Sequence, residues 1–187
     1  MEWSAQVRAE VTDDIELIAL MRENNCFNVY IGFESFNPET LALYNKRIEV
    51  DRIRRSMDIL HRHRSKVHGM FVLGSDADDA ESVRTTVHLA KKLDRDTTQF
   101  MILTPMPGTA MTQDLEGEGR IRTRDWNLFD GHYVTYVPRR LTPYELQRET
   151  LRAFRKFYSL PRIAARAIRG DKWTALLRYG ARRYVRR

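Results

Sequence analysis

The sequence predicts an α/β fold on a parallel sheet, followed by a mainly helical extension. Apolar segments typical of strands alternate with amphipathic segments of roughly 10 to 15 residues, which indicates βαβ units. The chain has 187 residues, 42% of them hydrophobic and 30% charged, enough for one sizeable domain plus an extension. It contains no apolar run of about 18 residues, so no membrane span is predicted.

The predicted elements follow one another over roughly the first half of the chain. Strands are predicted at residues 3–11, 27–33, 66–74 and 97–105. Three amphipathic helices alternate with them, and their apolar faces hold Ile15, Leu17, Ile18 and Met21; Ile53, Met57 and Leu60; and Val83, Val87 and Ala90. We therefore assign residues 1–115 to the sheet domain.

Residues 116–158 form the first part of the extension. The string "FDGHYVTYVP" predicts a turn and a short strand. Thr142 and Glu145, three positions apart, form a capping box that starts a helix running to about Tyr158. The remaining segment, residues 159–187, is treated separately because its charge differs from that of the rest.

The positive charge is concentrated in this last segment. The chain has a formal net charge of +7, and residues 159–187 carry nine Lys or Arg against the single acid Asp171. Apolar residues interleave with the arginines at helical spacing, with a break near Gly170. Three interpretations stay open: docking on an anionic membrane surface, binding of nucleic-acid phosphates, or packing of the apolar side on the body while the arginines are solvated. The second is the least favoured.

The single cysteine and the histidines give no metal-binding pattern. Cys26 alone cannot form an intrachain disulfide or a cysteine metal site, and a reducing cytoplasm is the expected location. The histidines lack the spacing and the carboxylate partner of a ligand set. The string "DADD" (76–79) lacks further calcium ligands and is better interpreted as a loop entering a helix N-cap.

Polar or glycine-bearing strings follow three of the predicted strands: "GFES", "GSDAD" and "TPMPGT". The carboxyl ends of parallel strands meet at one edge, where such folds bind ligands. Glu34 ends an apolar strand, and an unpaired carboxylate there costs several kcal/mol of desolvation. It is a structural acid paired with Arg8, a group that faces a ligand, or both.

Taken together, "VYIGFES", "KVHGMFVLGSD", "QFMILTPMPGT", "EGEGRI" with "RDW", and "FDGHYVTYVPRRLTPYELQ" resemble radical S-adenosylmethionine (SAM) enzymes. The closest resemblance is to the subgroup that carries a cobalamin-binding domain before the barrel. The resemblance implies an open (β/α)6 partial barrel, of which the four predicted strands would be the third to sixth. It covers about residues 1–158.

The resemblance also implies a cofactor site at the strand ends. Gly32–Ser35 would approach the ribose and amino-acid part of SAM, and Gln6 and Arg8 would point into the barrel. The fifth-strand positions would admit SAM close to the backbone, and the sixth-strand turn would lie beside the adenine. The site residues carried over in this way are Arg8, Gly32, Phe33, Glu34, Ser35, Gly69, Phe71, Gly74, Thr104, Pro105, Pro107 and Gly108.

The sequence lacks the Cys-x-x-x-Cys-x-x-Cys loop that holds the family's [4Fe–4S] cluster. Three thiolates are needed, and Cys26 supplies one. The cobalamin domain and two strands are also missing, so we expect a truncated, carboxyl-terminal portion that is inactive alone. Two hypotheses remain: an enzyme completed by a separate chain with the amino-terminal half, or a non-catalytic remnant or binding module. No catalytic residue and no substrate can be assigned.

Two positions depart from the family pattern. Arg64 stands where relatives have a glycine that caps a helix in the left-handed conformation. Arginine adopts this conformation at a cost of about 1 kcal/mol. Arg95 stands where an apolar residue normally leads into the next strand.

Overall fold

A parallel four-stranded sheet lies at the centre of the computed structural model, which describes residues 1–46, 50–93 and 96–184. Its strands are β1 (Trp3–Val7), β2 (Cys26–Glu34), β3 (Lys66–Leu73) and β4 (Thr97–Ile102). They lie side by side in chain order, and each neighbouring pair is parallel. The predicted α/β class is therefore confirmed, and the four carboxyl ends face one edge.

Helices connect the strands and form the carboxyl-terminal part, as predicted. They are α1 (Ile15–Glu23), α2 (Pro38–Leu43), α3 (Val50–Arg62), α4 (Ala80–Lys92), α5 (Ala110–Gly117), α6 (Pro143–Phe157), α7 (Leu160–Ile168) and α8 (Lys172–Tyr184). The short strand predicted within "FDGHYVTYVP" is reduced to a single antiparallel bridge between Ile121 and Tyr136. Among the described residues, no helix is long and apolar enough to cross a bilayer.

The helix starts follow the predicted side-chain chemistry. Thr142 and Glu145 form the capping box of α6. Asp79 caps α4, where its side chain accepts a hydrogen bond from the Ser82 backbone N–H at 2.8 Å. The interpretation of "DADD" as a loop entering a helix N-cap is therefore confirmed. Because such caps satisfy backbone donors that the helix cannot, they fix where the chain leaves the strand ends.

One face of the sheet packs on the helices and forms the core. In β3, alternate residues from Val67 to Leu73 are buried, and the residues between them are partly exposed. Phe71 lies at the centre, with its ring centroid 5.3 to 5.8 Å from those of Phe33, Phe36 and Phe100. This aromatic cluster fixes the helix-covered face, so the residues that alternate with it lie on the opposite face.

Several predicted boundaries and faces are wrong in detail. The first strand ends at Val7, because Ala9–Asp13 forms a 3-10 turn. In α1 only Ile18 is fully buried, while Ile15 and Leu17 are 45% and 41% exposed. The other two helices bury every apolar residue predicted for them. Arg95 lies outside the described residues.

The tail docks on the body mainly through its arginines. Arg178 is only 1% exposed, and its Nε donates to the backbone oxygen of Asp96 at 2.8 Å. Arg166 lies 3.2 Å from the Asp96 carboxylate. The interpretation in which the apolar side packs and the arginines stay solvated is right only in part. Ile163 and Ala175 are buried and Ala181 packs against the core, but Arg166 and Arg178 contact acceptors of Asp96, at the amino end of β4, that need donors. The predicted break at Gly170 is confirmed, with a φ of 90°.

Candidate functional site

Glu34 lies at the carboxyl end of β2 in a strained conformation. Its φ is 61°, in the left-handed region that costs a non-glycine residue roughly 1–2 kcal/mol. The strand bulges here, since Gly32 lies opposite Met70 and Glu34 lies opposite Phe71, the next residue. A Cβ at position 32 would lie 2.5 Å from Oε1 of Glu34. Gly32 therefore provides the space that the carboxylate occupies.

The partner of Glu34 is Lys46, whose Nζ lies 3.3 Å from Oε1. The predicted pairing with Arg8 is wrong, because Arg8 is directed to solvent and lies 3.2 Å from Glu10 instead. Arg8, Gly32 and Glu34 nevertheless line one small cleft together with Lys46. This Glu34 cleft has a volume of about 180 Å³ and is lined by Gln6, Val7, Arg8, Ala9, Glu10, Gly32, Glu34 and Lys46.

Ser35 and Phe33, which flank Glu34, have structural contacts. Ser35 is 1% exposed, and its hydroxyl accepts a hydrogen bond from the backbone N–H of Asn37 at 3.0 Å. Phe33 is completely buried in the aromatic cluster. Both residues hold the turn after β2, and neither side chain lines the Glu34 cleft.

The β3 residues predicted to approach the cofactor also face the core. A Cβ on Gly69 would lie 3.3 Å from the Phe33 ring, so this glycine makes room for an aromatic side chain. Gly74 has a φ of 97°, and a Cβ there would lie 2.7 Å from the Tyr136 hydroxyl. The Tyr136 hydroxyl donates to the Gly74 carbonyl. The open backbone at Gly69 and Gly74 therefore serves packing.

Asp78 holds the loop after β3 in place. It is 1% exposed, and its Oδ2 accepts hydrogen bonds from the backbone N–H groups of Gly74 and Ser75 at 3.0 and 3.1 Å. Its Oδ1 accepts from the Thr40 hydroxyl at 2.7 Å. Since Thr40 lies on α2, this buried carboxylate connects the loops that follow β2 and β3.

The turn after β4 forms a second cleft. Thr104 is engaged locally, because its hydroxyl donates to the Ile102 carbonyl at 3.0 Å. Pro105, Pro107 and Gly108 line a cleft of about 270 Å³. The other residues that line this proline cleft are Thr112, Gln113, Glu116, Ile121, Arg124, Trp126 and Phe129. Three of the four residues predicted to lie beside adenine thus border a common space.

A third cleft, of about 710 Å³, contains none of the predicted site residues. It lies beside the ends of β3 and β4, next to Ser75 and Leu103, and we call it the Tyr44 cleft. The Tyr44 hydroxyl is buried without a hydrogen-bond partner among the described residues, and burial raises its pKa. An unpartnered buried hydroxyl at a cleft wall is a candidate ligand contact.

Two arginines and three acids border the Tyr44 cleft, and the arginines pair with two of the acids, Asp76 and Glu118. Arg120 pairs with Asp76 and lies 2.9 Å from Glu118, and Arg139 lies 3.0 Å from Asp76 and 2.6 Å from Glu118. The hydrogen bond from Arg120 lowers the pKa of Asp76. The strings "EGEGR" and "VPRR" contain Glu118 and the two arginines, and "GSDAD" contains Asp76, but their spacing in the sequence gives no sign that they meet.

The described residues include no group of three potential metal ligands. Cys26 is 1% exposed, and burial raises the pKa of its thiol. His68 lies on the face of the sheet opposite the aromatic cluster, with Nδ1 2.8 Å from the Thr97 hydroxyl. Burial lowers the pKa of His68, which favours the neutral imidazole. Cys26 does not fit an iron–sulfur ligand, which has to be an accessible thiolate.

Curated relatives match most of the chain. It is 26% identical over 159 residues to bacteriochlorophyllide d C-12(1)-methyltransferase of Chlorobaculum tepidum, covering 84% of this chain and 34% of that protein. It is 27% identical over 172 residues to an uncharacterized methyltransferase of Pyrococcus horikoshii, covering 90% of this chain and 36% of that protein. The chain thus spans about a third of the length of these relatives. No protein-family model matches it.

Solved structures show the same fold. Coproporphyrinogen III oxidase of Escherichia coli, a radical SAM enzyme, has a TM-score of 0.62 at 14% identity, covering 84% of this chain and 32% of that one. The radical SAM methyltransferase TsrM of Kitasatospora setae, with cobalamin and a [4Fe–4S] cluster bound, has a TM-score of 0.57 at 21% identity, covering 80% and 30%. The chain therefore has the fold of these radical SAM enzymes and is similar in sequence to the curated methyltransferases, which agrees with the family that its strand-end sequences predicted.

Proposed function

We propose that this chain forms the SAM-facing part of a radical SAM-type protein that catalyses methyl transfer or related radical chemistry. The observation that carries the proposal is Glu34, held in a strained conformation at the carboxyl edge of the sheet. Backbone strain persists where the surrounding structure enforces it, and it concentrates at binding sites. The methyltransferase relatives support the reaction class.

The Glu34 cleft suits the amino-acid end of SAM, which carries an α-ammonium and an α-carboxylate. The Glu34 carboxylate accepts hydrogen bonds from the ammonium, and Lys46 donates to the carboxylate. Both side chains are about a quarter exposed, so their charges are accessible yet partly desolvated. Bound SAM supplies the methyl group or the radical precursor. The residues of this chain bind and orient it.

The [4Fe–4S] cluster of the family does not fit this chain. The 187 residues contain one cysteine, and it lies in the core. We therefore propose that the cluster ligands come from residues outside these 187, whether in a longer polypeptide or in a separate chain. The same holds for the cobalamin that the TsrM structure contains. We derive no step of the reaction through either group.

The alternative is a non-catalytic binding module, and the buried Cys26 is the observation that favours it. Both proposals include SAM binding at the strand ends, and they differ in whether chemistry follows. Adding a cysteine-bearing amino-terminal half would restore SAM cleavage only under the first. Because its single cysteine is unpaired, we propose the cytoplasm as the place of action.

Binding of SAM to the 187-residue chain tests the proposal by isothermal titration calorimetry. Glu34→Gln removes the charge and keeps the shape, and we expect it to weaken SAM binding roughly ten- to a hundredfold, since a charge-assisted hydrogen bond contributes roughly 1.5–3 kcal/mol. The matched control is Glu10→Gln, because Glu10 lines the same cleft but pairs with Arg8. Equal SAM affinity of Glu34→Gln and the unsubstituted chain would contradict the proposal.

A further inference from the structure

The outer surface of α7 and α8 exposes large apolar side chains. We call it the tail patch, and it comprises Ile168, Trp173, Leu176, Leu177 and Tyr179. Their exposed fractions are 85%, 63%, 60%, 45% and 46% respectively. A cluster of five large apolar residues with this exposure indicates an interaction surface, since single exposed residues are common but clusters are not.

The opposite face of α8 is buried and contains polar side chains beside Ala175, whereas an ordinary surface helix buries its apolar face and exposes its polar one. Thr174 and Arg178 are each 1% exposed. The Arg178 guanidinium lies 5.1 Å from the centroid of the Phe157 ring, and Arg182 donates to the Tyr158 carbonyl at 3.1 Å. These contacts orient α8 on the body, and the apolar stripe faces outward as a result.

The stripe has the pattern of a helix that lies in a membrane interface. Trp173, Leu176 and Leu177 occupy positions i, i+3 and i+4 of α8, which places them on one face. Lys172 and Arg183 are both exposed. They lie on the same side of α8 as Leu176, four residues before it and seven after it, and therefore border the stripe. Long basic side chains at such positions reach lipid headgroups while their apolar stems cover the boundary.

We propose that the tail patch docks on an anionic membrane surface, an inference that is independent of the proposed function. Charge decides between this partner and a second copy of the chain. Residues 160–184 contain seven Lys or Arg and only Asp171 as an acid, which is engaged by Lys66 at 2.8 Å. Two such tails would repel each other, whereas anionic lipid attracts each nearby basic residue. The interfacial preference of Trp173 and Tyr179 agrees with lipid.

The location of the patch is compatible with an active protein on the membrane. Lys66 and Asp96, which hold the tail, lie at the amino ends of β3 and β4. The three clefts lie at the opposite, carboxyl edge of the sheet. Docking through α7 and α8 therefore leaves the Glu34 cleft open to solvent and to ligands.

Vesicle cosedimentation of the full 187-residue chain tests the inference. The probe is phosphatidylcholine vesicles with and without roughly 30% phosphatidylglycerol, at low salt and at about 0.5 M salt. We expect binding only to the anionic vesicles, lost at high salt. The triple substitution Trp173→Ser, Leu176→Ser, Leu177→Ser is expected to reduce that binding at least tenfold. Trp173 fluorescence should shift to the blue on binding, a shift that Trp173→Phe removes.

The matched control is Ile15→Ser, Leu17→Ser, Leu20→Ser, which removes three comparably exposed apolar side chains from α1 and should leave vesicle binding unchanged. Circular dichroism checks that both triple variants fold. The double substitution Lys172→Glu, Arg183→Glu leaves the apolar stripe intact and should also reduce binding to anionic vesicles. Vesicle binding that is absent, or equal in all variants, overturns the inference. So does a dimer that the tail triple abolishes, because it would assign the patch to a second copy.

Discussion

Four non-glycine residues among those described have a positive φ, and they differ in what the conformation achieves. Asn25 and Asn45 belong to the residue type that tolerates it best. Glu34 uses it to direct a carboxylate into a cleft. Arg64, at 57°, ends α3 in the predicted left-handed cap, and its side chain is exposed. The strained conformation of Arg64 does not bring its side chain into contact with any partner among the described residues.

Replacing Arg64 with glycine should therefore stabilise the protein. Glycine adopts this conformation without strain, and the gain of 1–2 kcal/mol is partly offset by the greater flexibility of glycine in the unfolded chain. We expect a net increase of about 0.5–1 kcal/mol in the free energy of unfolding, and a melting temperature about 1–4 °C higher. Differential scanning calorimetry measures both.

Arg64→Ala is the control for this prediction. Alanine removes the charge and the long side chain but keeps a Cβ, so the strain remains and the melting temperature should stay close to that of the unsubstituted chain. If Arg64→Ala stabilised the protein as much as Arg64→Gly, relief of charge repulsion would explain the effect and the strain argument would fail.

Sequence patterns predicted the buried faces of α3 and α4, but they did not predict which charged side chains pair with each other. The left-handed cap at Arg64 was predicted by the family resemblance, which implies a capping glycine at this position. The pairing of Arg8 with Glu34 was not, because alternation along a strand says which face a residue is on and not how far its side chain lies from another. Lys46 follows α2, and no periodicity connects it with β2.

At the scale of elements, Asp96 joins α3, β3 and the tail. Its side chain is 7% exposed and accepts a hydrogen bond from the Val67 backbone N–H at 2.8 Å. His61, Lys66 and Arg166 lie within 3.5 Å of its carboxylate. Burial opposes ionisation of Asp96, but these donors and charges outweigh it and lower the pKa from 3.8 to about 2.

Asp96→Asn should destabilise the protein by about 2 kcal/mol at neutral pH, since each pKa unit corresponds to about 1.4 kcal/mol. The folded pKa lies below the unfolded one, so this stabilisation is present above about pH 4 and is lost as the pH falls towards 2. Urea unfolding at a series of pH values should show the two chains converge over that range.

Asp58→Asn provides the control, because Asp58 is an exposed acid on α3 and only its backbone oxygen receives a bond, from Arg62. Its stability should differ little from that of the unsubstituted chain at every pH. A destabilisation by Asp96→Asn that persists unchanged at pH 2–3 would show that packing, and not the charge of Asp96, holds the tail.

At the scale of the whole molecule, the outer edge of β1 stands out because no other described strand pairs with its backbone hydrogen-bonding groups. Within the described residues β1 pairs only with β2, so its other edge presents free backbone groups. Trp3 donates its N–H to Asn25 at 3.1 Å, towards β2. In a parallel strand alternate residues face opposite edges, so Ser4 and Gln6 direct their N–H groups to the open side. Such an edge favours pairing between chains.

We expect the 187-residue chain to dimerise or aggregate through this edge, and Ser4→Pro to reduce the association. Proline at position 4 removes an outward donor without breaking the ladder to β2. Light scattering coupled to size-exclusion chromatography measures the change. Ala5→Pro, which removes an inward donor, should instead destabilise β1. A chain that stays monomeric at high concentration would contradict the prediction.

The fold was largely predictable from the sequence, whereas the site was predictable only in part. Strands and helices follow from local periodicity, and the parallel order follows from their alternation. The Tyr44 cleft was missed because its wall combines residues from five separate segments, represented by Tyr44, Asp76, Leu103, Arg120 and Tyr136. Gly69 and Phe71 were predicted near the cofactor, but alternation alone did not show which face the helices cover.

The space at Gly32 has a consequence for how this protein could change over time. An alanine there would meet only the end of a flexible side chain, so Glu34 could move aside with little effect on the fold. The carboxylate would then point elsewhere. One added methyl group could thus abolish ligand recognition in a chain that still folds, and a lineage could retain this architecture long after its binding function had been lost.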